Sequence, residues 1–156
     1  MTEILTTSTF AYLCTASLDN QPHITPMFFV FDEKTYNLYV ITSTESKKMK
    51  NIHVNPKVSL TIDTRDAANP FYNRGLMVQG KADVHSALDS SSASDDRTPT
   101  ITYATFERKY PVLQKVQLPV VDERKKFSGS LISITPSRMV YWKGPNFMTV
   151  RFDNQE

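Results

Sequence analysis

Apolar and polar positions follow a two-residue period along the first part of the chain. Three runs rich in β-branched and aromatic residues occur at 9–17, 23–31 and 36–42. Turn-forming residues at 19–22 and 32–34 separate these runs. Period-two runs separated by short turns are typical of β-strands joined as hairpins. The sequence therefore predicts a three-strand antiparallel meander.

Pro26 lies inside the second of these runs. Proline has no N–H to donate to a strand ladder, so it is confined to edges, bulges and strand starts. We therefore expect an edge, a bulge or an irregular stretch at Pro26, which a ligand can exploit.

The period changes to that of a helix at 46–55, where Met49, Ile52 and His53 fall on one face and lysines occupy the rest. Two residues are candidates for the N-cap of this helix. Thr42 with a glutamate three residues later matches a capping box, and Ser46 is a second N-cap candidate. We expect one short amphipathic helix, followed by strands at 57–63 and 74–84.

The pattern is weaker in the second half of the chain. The segment 86–100 is polar and of low complexity, and the segment 118–122 is too short to assign. A helix is predicted at 102–110, ahead of a proline, and further strands are predicted at 130–135, 138–142 and 147–152. Seven or eight short strands with two helices predict a mainly β fold, an antiparallel barrel with a few short helices.

Composition narrows the class of protein. The 156 residues correspond to one domain, and 40 % apolar with 22 % charged residues indicates a packed core. A net charge of +2 gives no reason to expect a nucleic-acid partner. The single cysteine, Cys14, fits a reducing cytoplasm, and we expect neither a signal peptide nor a membrane span.

Several common site motifs are missing. None of the 4 glycines stand two residues apart, so no dinucleotide-binding fingerprint is present. The Walker-like match at 75–82 has an alanine in place of the magnesium-binding hydroxyl, and its middle is typical of a strand. The three histidines are scattered, so we expect no metal site.

The segment 42–48 is the most informative for chemistry. A strand runs into a helix start that carries hydroxyls and the adjacent lysines Lys47 and Lys48. Free N–H groups at a helix start, hydroxyl donors and ammonium groups together favour a phosphate. A capped helix with a solvated basic face explains the same residues without any ligand.

The order and spacing of four segments resemble the pyridoxamine 5'-phosphate oxidase-like family. They are 21–27, 39–48, 48–60 and 78–82, and a weaker likeness returns at 134–142. The resemblance implies a single split β-barrel with Greek-key-like connections. It also implies a homodimer that binds FMN at the subunit interface, while some branches of the family use the deazaflavin coenzyme and a few bind haem.

The resemblance also implies roles for individual residues. One group would lie along the isoalloxazine ring: His23, Thr25 and Met27. A second group would hold the ribityl and phosphate end: Thr42, Ser43, Ser46, Lys47 and Lys48. Lys48 and Asn51 also match a K-x-x-N pattern of the deazaflavin-using branch. Trp142 resembles a tryptophan that approaches the flavin from the partner subunit, and Arg151 resembles an arginine near the cofactor. No catalytic acid or base is nominated.

The C-terminal part departs from the vitamin oxidase of this family. That enzyme carries an Arg-Leu-His-Asp-Arg signature, and here the segment 147–151 retains only its last arginine. A site built on such groups discriminates strongly against a substrate it cannot contact. We therefore expect an FMN-binding oxidoreductase with another substrate. A deazaflavin-dependent reductase, or a flavin- or haem-binding protein without turnover, is the alternative.

Overall fold

The computed structural model describes residues 1–85, 103–114 and 129–152. In these residues the chain forms three short α-helices and seven antiparallel strands. The helices are α1 Thr2–Thr7, α2 Lys47–Val54 and α3 Tyr103–Lys109. The strands are β1 Phe10–Ala16, β2 Pro22–Phe31, β3 Leu38–Ser43, β4 Lys57–Thr64, β5 Arg74–His85, β6 Gly129–Lys143 and β7 Asn146–Arg151.

The strands are ordered β3-β2-β1-β4-β5-β6-β7, and β3 also pairs with β6. This second pairing closes six strands into a barrel and leaves β7 attached outside it. The predicted mainly β barrel is confirmed. The barrel interior is filled by alternate residues of each strand, among them Leu13, Phe29, Leu60 and Ile132, all at most 1 % exposed.

The predicted meander is also confirmed, since β1 pairs with β2 and β2 with β3. β2 pairs with β1 along Pro22–Phe28, whereas only Phe29–Phe31 pair with β3. The side of β2 that faces β3 is therefore free of a strand partner around Pro26, among the described residues. The expected edge at the proline is present, and it opens a gap between β2 and β3.

The C-terminal strands differ from the prediction. The two runs 130–135 and 138–142 belong to one strand, β6, which passes through Pro136. The break was expected because proline cannot donate to a ladder. The register against β5 shifts between Gln79 and Gly80, so Pro136 pairs with Gly80 and Ser137 is the extra residue. A Cβ on Gly80 would lie 2.2 Å from the Thr135 carbonyl oxygen, so this close approach requires glycine.

The helices lie near their predicted positions. α2 begins after Ser46, whose hydroxyl accepts from the Met49 N–H, so the alternative start at Thr42 is wrong because Thr42 is still part of β3. α3 places Phe106 against the outer face of β2 and β3. The segments 86–100 and 118–122 lie outside the described residues. No helix in the described part of the chain is long and apolar enough to cross a membrane.

Candidate functional site

The gap between β2 and β3 is lined on one side by alternate residues of β2. His23 and Thr25 are half-buried and Met27 is 7 % exposed. They continue the inward-facing series that ends in the fully buried Phe29, while Ile24 points outward and is 65 % exposed. The three predicted residues therefore share one face. His23, Thr25 and Met27 pair with residues of β1, and the opposite edge of this stretch of β2 has no β3 partner among the described residues, so that edge is open to a ligand.

A second group of predicted residues lies at the end of β3 and the start of α2. The Lys48 ammonium donates to the Thr42 hydroxyl at 2.9 Å, and that hydroxyl lies 3.4 Å from the Ser46 hydroxyl. Ser46 also stabilises the helix start, because its hydroxyl accepts from the Met49 N–H. The structure therefore brings Thr42, Ser46 and Lys48 together, with Ser43 exposed at the strand end.

The charge at this helix start is not neutralised by an ion pair. Among the described residues, neither Lys47 nor Lys48 has a carboxylate within 4.0 Å. Burial lowers the pKa of Lys48, so the free protein holds this cation at some cost. The Ser17 hydroxyl is the main group that lowers the pKa of Asp19, and the charge of Lys47 contributes a smaller part. A bound anion would offset the cost of burying Lys48.

Asn51 does not reach the surface. It is 1 % exposed, and its side-chain amide donates to the Thr15 hydroxyl at 2.9 Å. The Thr15 hydroxyl in turn donates to the His23 carbonyl at 3.5 Å. Asn51 therefore connects α2 to β2 through β1, and a direct contact between Asn51 and a cofactor stays a prediction.

Thr15 was missed by the sequence analysis. It is buried at 1 % exposure on the inward face of β1, where Ala11 and Leu13 are apolar. A polar residue at an inward position of an alternating strand needs a hydrogen-bond partner. The polar Thr15 at an inward position among apolar residues was the sequence signal that could have identified it.

Trp142 and Arg151 lie elsewhere in the same chain. Trp142 covers Gly75, where an added Cβ would lie 2.0 Å from the indole ring. β6 reaches the α2 region at Ser130, which pairs with Thr42, and Trp142 is twelve residues further along that strand. At about 3.3 Å per residue this is a path of about 40 Å. This length is the largest possible separation, and Trp142 lies in the part of β6 that has left β3 and pairs with β5 and β7.

Arg151 pairs with Arg138 in the β6–β7 ladder, also away from α2. In the segment that departs from the vitamin oxidase, Phe147 is 72 % exposed and Thr149 is exposed as well. Among the described residues there is no group of three or more His, Cys, Asp or Glu side chains that could hold a metal ion.

Comparison with known proteins gives a family and a fold. Residues 1–143 match the family model described as pyridoxamine 5'-phosphate oxidase. No curated protein matches. General Stress Protein 26 from Bacillus anthracis str. Sterne is 23 % identical, with 96 % of this chain and 95 % of that chain covered and a TM-score of 0.61.

Two further solved structures have the same fold. An F420 reductase is 21 % identical, with 88 % of this chain and 93 % of that chain covered and a TM-score of 0.60. A heme binding protein from Mycobacterium smegmatis is 12 % identical, with 96 % of this chain but 56 % of that chain covered and a TM-score of 0.68. Since the family model extends from residue 1 to residue 143 of the 156, this chain belongs to the pyridoxamine 5'-phosphate oxidase family.

Proposed function

We propose that this protein binds FMN in the gap between β2 and β3 and acts as a flavin-dependent oxidoreductase. The observation that carries the proposal is the start of α2. Lys47 and Lys48 have no carboxylate within 4.0 Å among the described residues, and Thr42 and Ser46 add hydroxyls beside Lys48. Such a cluster of donors at a helix start fits a phosphate dianion.

The residues of the gap fit the two ends of FMN differently. Lys47, Lys48 and the first N–H groups of α2 would bind the phosphate, and Thr42 would donate to the ribityl chain or phosphate. The edge of β2 beside His23 and Thr25 that faces away from β1 and has no β3 partner would face the polar edge of the ring. Once bound, FMN supplies the redox chemistry by accepting and returning two electrons, while the protein holds and orients it.

The decisive experiment identifies the small molecule that co-purifies with the protein. We expect a flavin absorbance spectrum, the mass of FMN after denaturation, bleaching by a reductant and recovery with an electron acceptor. Protein that neither retains FMN nor binds added FMN would contradict the proposal.

Two other cofactors are distinguished by the same experiment. An F420 reductase and a heme binding protein share this fold. The deazaflavin hypothesis uses Lys48 with Asn51, but the Asn51 amide is buried and bonded to Thr15, which favours FMN. Bound haem would give a Soret band and require an axial ligand, for which His23 is the histidine at the gap. Detection of a deazaflavin mass or of a Soret band would identify the deazaflavin coenzyme or haem as the cofactor in place of FMN.

We also propose a homodimer in which the partner completes the cofactor site. If Trp142 and Arg151 approach the cofactor as the resemblance implies, they must come from a second copy, because within one chain they lie far along β6 and β7 from α2. Outward-facing apolar residues such as Tyr12, Ile24 and Phe147 are 45 %, 65 % and 72 % exposed, which supports burial against another copy. Light scattering should give twice the 17.8 kDa chain mass. A monomer at micromolar concentration would contradict this.

A further inference from the structure

His23 carries a titratable ring at the end of β2, where the strand has no β3 partner among the described residues. Its side chain is half-buried on the same face of β2 as Thr25. Nδ1 lies 3.4 Å from the Thr25 hydroxyl oxygen, whereas Nε2 has no hydrogen-bond or ion-pair partner within the part of the chain that the structure describes. The proposed FMN site uses only the backbone edge beside His23. Nε2 is therefore available to a ligand.

Buried contacts hold the start of α2 beside this end of β2. Thr15 is the direct partner of His23 in the β1–β2 ladder, and its hydroxyl accepts from the Asn51 amide at 2.9 Å. Asn51 follows Lys47 by one helical turn, so the two residues lie on the same face of α2, about 6 Å apart. The face of α2 that carries Lys47 is thus the face that contacts β1 opposite His23.

The β1–β2 turn gives independent evidence for this placement. Asp19 lies in that turn, shortly before His23. The Ser17 hydroxyl is the main cause of the lowered pKa of Asp19, and the charge of Lys47 contributes a smaller part. Exposed charges affect each other within about 10 Å, because salt screens longer distances. Lys47 is therefore near the turn that leads into β2 as well as on the face of α2 that contacts β1.

We propose that the His23 imidazolium binds the phosphate of FMN together with Lys47, so that FMN affinity depends on the protonation of this ring. The inference rests on the proposed function and adds a titratable ligand to it. Histidine changes its charge between about pH 5 and pH 8. Nε2 donates to a phosphate oxygen in a charge-assisted hydrogen bond, which weakens when the ring becomes neutral. The backbone beside Thr25 remains available to the flavin ring.

Other titratable side chains on the elements around β2 set the background for this pH dependence. The β1–β2 turn and α2 carry Asp19, Lys47, Lys48, Lys50 and His53. On β1, Tyr12 and Cys14 alternate with the buried Thr15 and lie on the opposite face. The other neighbours of β2 lie away from His23: Tyr39, Lys109 and Tyr110 contact β2 at Phe29 and Val30, and Glu3 pairs with Arg74. His53 is the second imidazole near the proposed site and provides a matched control.

The test is the affinity of the full-length protein for FMN and for riboflavin at pH 6 and pH 8, measured by quenching of flavin fluorescence. A phosphate monoester itself titrates near pH 6, so variant and parent are compared at the same pH. His23→Gln should weaken FMN binding by about five- to tenfold at pH 6 and by less than about twofold at pH 8. Riboflavin, which has no phosphate, should bind His23→Gln and the parent equally.

Two further variants separate charge from position. His53→Gln, at an exposed residue in the last turn of α2, should bind FMN as the parent does at both pH values. His23→Lys keeps a cation at pH 8 and should bind FMN there more tightly than the parent does. If His23→Gln does not fold, His23→Lys decides, and an FMN affinity no higher than that of the parent at pH 8 would overturn the inference.

The remaining outcomes distinguish this inference from the proposed function. Equal FMN affinities of His23→Gln and the parent at pH 6 would overturn the inference and leave the FMN site standing. An equal loss of riboflavin and FMN affinity in His23→Gln would place the imidazole at the ring and would also overturn it. A parent protein that binds no FMN at pH 6 would overturn both.

Discussion

The Tyr110 hydroxyl takes the place of a strand partner for the backbone of Phe29. It lies 2.5 Å from the Phe29 carbonyl oxygen and 3.0 Å from that of Thr9, and it accepts from the Phe29 N–H at 3.2 Å. These atoms lie where the β1–β2 ladder ends, one residue beyond the last pair, Phe10 with Phe28. Tyr110, the residue after α3, therefore bonds the backbone of β2 beyond the last β1–β2 pair, and His23 and Thr25 lie toward the other end of β2.

Removing this hydroxyl should destabilise the protein. Tyr110→Phe leaves the buried Phe29 N–H without its acceptor, while the Phe29 carbonyl keeps the Lys109 ammonium, and the loss costs about 1 to 3 kcal/mol in the free energy of unfolding. The control is Tyr36→Phe at a tyrosine that is 42 % exposed, where we expect a change below about 0.5 kcal/mol. Urea unfolding measures both. Equal stabilities of Tyr110→Phe and the parent would show that the hydrogen bonds are replaced by water.

Lys109 makes stability depend on pH. Its ammonium donates to the Phe29 carbonyl at 3.0 Å and lies 4.0 Å from the centre of the Phe29 ring. Burial lowers its pKa from 10.5 to about 8. The unfolded chain therefore holds more protons between these two values, and the free energy of unfolding should rise with pH through this window. The cost of burying the charge is fully present below pH 8.

The measurement is urea unfolding at intervals from pH 7 to pH 10. This range stops short of the titration of Tyr110, whose pKa burial raises to about 12. Lys109→Met should show a smaller rise with pH than the parent, and the exposed Lys50→Met should keep the parent's rise. Parallel profiles for the parent and Lys109→Met would contradict the burial of this charge.

Sequence reasoning succeeded where a local pattern decides the structure. The edge at Pro26 follows from chemistry within a few residues, and the same kind of chemistry limited the start of α2 to two candidates, Thr42 and Ser46, of which the structure has Ser46. It failed at Pro136, because the register shift that accommodates this proline is made by Gly80 on a neighbouring strand. Likewise, nothing local shows that Asn51 is buried against Thr15, a partner 36 residues away. Such contacts form only when distant parts of the chain meet in the closed barrel, so no local sequence pattern reveals them.

The two lysines at the start of α2 should distinguish FMN from riboflavin. Lys47→Ala/Lys48→Ala removes two cations from the proposed phosphate site. We expect FMN affinity to fall by about 10- to 100-fold, since Lys47 is exposed and its contribution is screened by water. Riboflavin, which lacks the phosphate, should bind the variant and the parent equally. Lys50→Ala is the control, and fluorescence quenching of the flavin reports binding.

The bond between Asn51 and Thr15 can be measured by a double-mutant cycle. Asn51→Ala, Thr15→Val and the double variant should give a coupling energy of about 1 kcal/mol in the free energy of unfolding. The same cycle with Thr61→Val, on the half-exposed face of β4, should be additive within about 0.3 to 0.5 kcal/mol. FMN affinity should also fall in Asn51→Ala, because α2 loses its connection to β2. Additivity in both cycles would show that the amide contributes nothing through Thr15.

Flavin-loaded protein should not oxidise pyridoxamine 5'-phosphate. The positions that match the substrate-binding arginine and histidine of the vitamin oxidase hold Phe147 and Thr149, and both are exposed on β7. Two lost polar contacts to a dianion cost a few kcal/mol, or on the order of a hundredfold or more in specificity. The loss concerns the substrate and not the flavin, so dithionite should still bleach the bound FMN and oxygen should restore its spectrum. Formation of pyridoxal 5'-phosphate at about one turnover per second or faster, the range of ordinary enzymes, would contradict this assignment of the β7 positions.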